Sequence, residues 1–264
     1  MEENNQFIAG IFNYCDRWCE RCAFTSKCRN YDFMPDSAKN PEHDLNSEEF
    51  WNELSAIFKK TREMILQVAE DRGIDLNAVD DAEIEEELKR RRQHQKDAAK
   101  SLIGKSSKKY IKKLSKWIAQ EKGFFQEMKD GWIQQAEMGF PEDEILSKAS
   151  RIKDYFDVIQ WYQFFIHVKL VRALSGQLEE MDNDEPWLYD VHGSAKVALI
   201  AIDRSIAAWG NVLDQFPEKE DELLDFLVIL ELLRKMAEIQ FPEARSFIRP
   251  GLDETETVKA TPMA

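Results

Sequence analysis

Four cysteines, Cys15, Cys19, Cys22 and Cys28, carry the spacing C-x3-C-x2-C-x5-C, and the chain has no others. Four thiolates form a complete tetrahedral set for Zn2+ and are also the usual ligand set of an iron–sulfur cluster. Arg17, Arg21, Lys27 and Arg29 are interleaved with them, and such cations offset thiolate charge and tune a cluster potential. No Gly or Pro shapes a knuckle around Cys19-x2-Cys22, which weighs against zinc, so the choice between zinc and iron–sulfur stays open. Two other readings compete. The cysteines can be small apolar residues on a buried stripe, or Cys19 and Cys22 can form a thiol–disulfide switch.

Taken without Cys28, the first three cysteines match the C-x3-C-x2-C spacing of radical SAM enzymes. The match covers eight residues and stops there. Arg21 stands where those enzymes usually place an aromatic, no βα repeat follows, and Cys28 supplies a fourth ligand that would close the iron SAM needs. A ferritin-like di-iron site needs Glu-x-x-His on two helices. The residues three before each histidine are Asn40, Arg91, Phe164 and Tyr189, so that site is missing in its usual form.

A second chemistry lies between residues 89 and 116. Twelve lysines and arginines stand there against one acid, Asp97, in a chain of net charge -14. Arg90, Arg91 and Arg92 open the run. Lys105, Lys109, Lys112 and Lys116 share one helical face beside a stripe of Tyr110, Leu114 and Trp117. An acidic chain repels nucleic acid on average, so this segment is a local exception. It reads as a contact surface for a phosphate backbone or an acidic protein, or as a solvated face lying beside the chain's own acidic helices. His192, Lys196 and Asp203 fall on roughly one face and define a third, weaker candidate, an acid–base cluster. His167 reads as a satisfied core histidine. No phosphate loop, Gly-x-Ser-x-Gly or His-Glu-x-x-His is present.

The elements that must position these groups are helical. Hydrophobic content is 43% and charged content 33%, with ten Gly and eight Pro and no alternating β-branched runs, so the fold class is all-α. Phe7, Ile8, Ile11, Phe12, Cys15, Trp18, Cys19 and Cys22 recur at three- and four-residue steps and predict a helix over 3–25, with Cys28 folding back from a loop over 29–46. Further helices are expected from about Ser47 to Arg72, from Asp80 over a short acidic stretch, and over 95–137 with a break near Gly104 or Gly123. Residues 142–181 look apolar nearly all round and therefore central. Two more helices are expected over 190–213 and 217–240, then a turn after Pro242.

The sequence thus predicts a bundle of about seven helices with an N-terminal four-cysteine metal site. Residues 1–45 form the cysteine region, 46–249 the bundle, and 250–264 a polar, disordered tail. No basic, apolar leader opens the chain and no apolar run is long enough to span a bilayer. A cytoplasmic protein without membrane contact is expected, which favours metal over disulfide chemistry. The expected function is a metal-binding interaction module, zinc or iron–sulfur, using the basic helix 89–116 as its contact surface. An iron–sulfur redox or sensor protein is the rival. An enzyme using His192, Lys196 and Asp203 is the weaker alternative.

Overall fold

The computed structural model describes residues 7–34, 47–76, 81–179 and 185–253, and every regular element among them is helical. The short α1 is Arg29–Asp32. The longer helices are α2 Glu48–Asp71, α3 Asp81–Lys100, α4 Leu102–Gln120, α5 Lys122–Glu137, α6 Glu142–Leu178, α7 Glu185–Gln215 and α8 Glu220–Gln240. They fall into two units. One holds the described residues up to Arg90 together with those from Arg249 on. The other is Arg91–Ile248. No helix is long and apolar enough to cross a membrane among the described residues.

Within the second unit, α4, α6, α7 and α8 close a ring of four antiparallel helices, each packed on two others. The paired residues set the directions. Ser107 meets His167 and Ser115 meets Gln163 between α4 and α6. Tyr162 meets Arg204 and Arg172 meets Asp190 between α6 and α7. Lys113 bonds Asp225 and Trp117 bonds Glu222 between α4 and α8. In each pair one partner's number rises as the other's falls. The helix α5 packs against α6.

The core follows from periodicity. On α4, Ile103, Ser107, Tyr110, Leu114 and Trp117 are buried at three- and four-residue steps, as an amphipathic helix requires. Leu102, at the helix start, is exposed. Trp209 is the centre of an aromatic cluster. It stacks on Phe226 with centroids 4.6 Å apart and meets Trp117 edge-on at 5.6 Å. Its Nε1–H donates to the Tyr110 hydroxyl at 3.1 Å. Both residues are fully buried, so the bond satisfies two polar groups that would otherwise be stranded.

The basic and aromatic run after residue 95 breaks where its caps dictate. Ser101 ends α3 and caps α4, its hydroxyl accepting from the Gly104 amide at 3.0 Å. Gly104 has no Cβ, and one placed there would stand 2.4 Å from the Ala98 carbonyl oxygen. That lets α4 start directly against the end of α3. The second break falls at Glu121, between α4 and α5. The helix α6 differs from its expected all-round burial. Ile152, Phe156, Ile159, Tyr162, Ile166 and Leu170 are buried, but Phe164 and Val168 are well exposed. Its main packing partners are α7, α4 and α5, and the residues turned away from them stay exposed.

In the first unit Ser47 caps α2 by accepting from the Phe50 amide at 3.2 Å, with Glu48 and Glu49 in the first turn where the helix dipole favours acids. The helix predicted over 3–25 does not form among residues 7–25. The segment instead makes 3-10 turns at Ile11–Asn13, Cys19–Arg21 and Thr25–Lys27. Side chains take the amides an α-helix would need. The Trp18 amide donates to the Asp16 carboxylate at 3.2 Å and the Phe24 amide to Cys22 Sγ at 3.4 Å. Arg17 is left-handed at φ 57°, which no α-helix accommodates. Of the loop expected over 29–46, residues 29–32 instead form α1 and 35–46 lie outside the described residues. Of the disordered tail expected over 250–264, residues 250–253 form a turn in which Asp253 pairs with Arg249 at 2.7 Å, and 254–264 lie outside the described residues.

Candidate functional site

The cysteines occupy the turns. Cys19 opens the second 3-10 turn and Cys22 closes it, its amide donating to the Cys19 carbonyl at 3.2 Å. Cys28 closes the third turn in the same way, through the Thr25 carbonyl at 3.2 Å. The Ile8 amide bonds the Lys27 carbonyl at 3.0 Å and ties the two ends of the segment together. Cys22 accepts the amide two residues ahead, and Cys15 likewise takes a backbone hydrogen bond from Arg17. Two cysteines thus sit in matching N–H···S turns, and such donors stabilise the charged form of sulfur. The Arg21 guanidinium lies 4.1 Å over the Trp18 ring.

All four thiols are free and half-buried. Burial pushes the Cys15 and Cys19 thiols up from their ordinary value. Neighbouring sulfurs add to this: Cys19 is raised by Cys15, Cys22 and Cys28, and Cys15 by Cys28. Cys19 therefore lies within electrostatic reach of the other three sulfurs. The four do not converge on one point, because no three Cys, His, Asp or Glu among the described residues are gathered closely enough to hold a metal ion. The expected metal-ready tetrahedron is not formed in this arrangement. Cys15 Sγ is turned toward the Phe12 carbonyl oxygen at 3.5 Å, the contact of a protonated thiol.

The predicted polyanion surface is divided. Lys105, Lys109, Lys112 and Lys116 stand exposed on the outer face of α4 and make no ion pair with the described residues. Lys113, next to them, bonds Asp225 of α8 and holds that carboxyl below its usual range. Tyr110 and Trp117 are buried and bonded to Trp209 and Glu222, so the lysine face has no aromatic from its own stripe to stack on a base. Arg90 pairs with Glu87 of its own helix at 2.5 Å. Arg91 lines a cavity of about 530 Å3 with Gln95 and His167, and Arg92 is exposed.

Lys196 and Asp203 do meet, through Arg245. The Lys196 ammonium donates to the Arg245 carbonyl at 2.7 Å, and the Arg245 guanidinium reaches Asp203 at 2.5 Å and Glu238 at 2.8 Å. Both residues anchor the chain after α8 to α7. The Nδ1 of His192 is buried without a hydrogen-bond partner among the described residues. His167, expected to be satisfied, has Nδ1 2.8 Å from the Ser107 hydroxyl. That hydroxyl also contacts the Ile103 and Gly104 carbonyls, and its single proton goes to one of them. Ser107 then accepts from His167 Nδ1–H. Burial and the nearby Lys108 lower the His167 pKa and keep the ring neutral. This pairing was invisible in the sequence, because Ser107 and His167 meet only when α4 and α6 pack.

The architecture is a four-helix ring with a thiol-rich N-terminal segment in the other unit. No protein-family model, curated protein or solved structure matches the chain.

Proposed function

We propose that the chain is a metal-binding helical module that acts by binding rather than catalysis, with Cys15, Cys19, Cys22 and Cys28 as ligands of one Zn2+ or one iron–sulfur cluster. One observation carries this. Residues 7–34 hold all four of the chain's cysteines as free thiols, with Cys19 in electrostatic reach of the other three, yet Ile11 is the segment's single buried residue. A segment with so little burial needs a cross-link to persist, and the thiols are the groups able to supply it. The donor set fits either group: four soft sulfurs, amide donors aimed at Cys15 and Cys22, and interleaved cations. A bound ion would supply folding energy to the segment directly. A cytoplasmic setting, which keeps thiols reduced, suits this reading.

An absorption spectrum with elemental analysis on anaerobically purified protein tests it. Iron with acid-labile sulfide supports a cluster and the redox or sensor reading. One zinc in a colourless protein supports a structural site. Four titratable thiols with neither metal overturn the proposal.

The lysine face of α4 supports a contact surface for an acidic partner, a nucleic-acid backbone or an acidic protein. Four exposed lysines that make no ion pair with the described residues are spaced along one helix face, although Lys109 lies within electrostatic reach of Asp225. With a short DNA duplex as probe, binding is expected to weaken steeply with salt, by a log–log slope of about -0.9 per neutralised phosphate. Changing Lys105, Lys109, Lys112 and Lys116 to Gln should flatten that slope. No binding even at low salt, measured by fluorescence anisotropy, would remove nucleic acid as the partner.

A further inference from the structure

We infer that the cavity between α5 and the Phe216–Lys219 turn binds an alkylammonium group. This inference stands apart from the metal reading and does not depend on it. The cavity measures about 580 Å3 and belongs wholly to the second unit, within the usual range for a small-molecule site. Phe124, Trp132 and Phe216 give it aromatic walls, and Met128 lies among them. Phe124 and Phe216 meet edge-on with centroids 5.0 Å apart. Glu127 and Glu218 also line it, and neither makes an ion pair or hydrogen bond with the described residues.

The protein's own chain already seats one ammonium in this wall. Lys219 Nζ lies 5.5 Å over the Phe124 ring and 2.8 Å from the Glu121 carboxylate, with Glu222 at 3.6 Å. The hydrogen bond to Glu121 raises the Lys219 pKa and keeps it charged. The same two ingredients, an aromatic face and a carboxylate, recur in the rest of the cavity, where Trp132 and Phe216 stand with Glu127 and Glu218, carboxylates that Lys219 does not pair. Ring faces carry negative quadrupoles and attract cations most strongly when methylated, weakly hydrated ammonium groups replace water there. An anionic ligand would meet Glu127 and Glu218, since Lys219 is already paired with Glu121. The net charge of -14 likewise draws cations toward the molecule.

Choline and its uncharged isostere 3,3-dimethylbutan-1-ol, titrated into the full chain by calorimetry, separate charge recognition from simple burial. Choline should bind saturably and about tenfold or more tighter than the alcohol. The E127Q/E218Q double variant changes only exposed side chains and so keeps the fold. It and W132L should each weaken choline severalfold, with circular dichroism unchanged. Equal binding of choline and the alcohol, or unaltered choline binding in both variants, would overturn the inference. N-acetyl-trimethyllysine amide distinguishes the source: tighter binding than choline assigns a polypeptide side chain, and weaker binding a free metabolite. No saturable response to either cation also overturns it.

Discussion

Replacing Cys15 and Cys28 with serine is expected to abolish metal binding and to leave the amides of residues 7–34 exchanging at nearly the unfolded rate. Residues 91–248 should keep their protection. The expectation follows from the proposed ligand set and from how little else supports the segment. Ile11 is its one buried residue, and its backbone bonds are short-range turns apart from the Ile8–Lys27 closure. Structural zinc sites contribute roughly 10–16 kcal/mol of apparent binding energy in small domains, far above what these turns supply. Affinity should also rise with pH. Burial raises the Cys15 and Cys19 pKa values, so both are protonated near neutrality and each must release a proton to ligate. Each thiol still protonated contributes about a tenfold gain per pH unit. Hydrogen exchange with and without metal checks the first point, and zinc titrations across pH check the second. Unchanged protection of residues 7–34 in the double variant would remove the cysteines from any structural role.

Trp209→Ala should destabilise the second unit by about 3–5 kcal/mol, the usual range for deleting a buried aromatic. That is a large share of the roughly 5–15 kcal/mol available to a domain. Trp209 is fully buried, stacks on Phe226, meets Trp117 and Phe156, and bonds Tyr110. It therefore joins α4, α6, α7 and α8 at one point. Tyr110→Phe should cost less, about 1–3 kcal/mol, because it strands the Trp209 Nε1–H while leaving the rings packed. Urea denaturation followed by far-UV circular dichroism gives both values. A loss below 1 kcal/mol for Trp209→Ala would show that the ring does not hold the bundle together.

Much of the bundle was legible in the residues because its signals are local. Ser47 and Ser101 act as caps where they stand. The stripe Ile103, Tyr110, Leu114 and Trp117 turns inward as its spacing demands, and the lysines on the opposite face are exposed for the same reason. The error over 3–25 has a local cause too. Apolar and cysteine spacing matched a helix, but Asp16 and the sulfurs of Cys15 and Cys22 capture backbone amides that the helix would have used. Turn chemistry of side chains outweighed periodicity there.

The sequence by itself determined that the described residues are helical and where several of the helices lie, and it proposed which groups could bind metal or polyanion. Those properties depend on neighbours a few residues apart. Only the tertiary structure decided what the groups meet. It exposed Phe164 and Val168 on a helix that reads as fully apolar, because its neighbours cover one side. It turned Lys196 and Asp203 from a candidate acid–base pair into the anchor of Arg245. It set Phe124 and Trp132 of α5 beside Phe216 and Glu218, far away in the chain, and so made a cation site that no spacing records. Helix packing brings such residues together, and side-chain direction after packing is not a function of sequence distance.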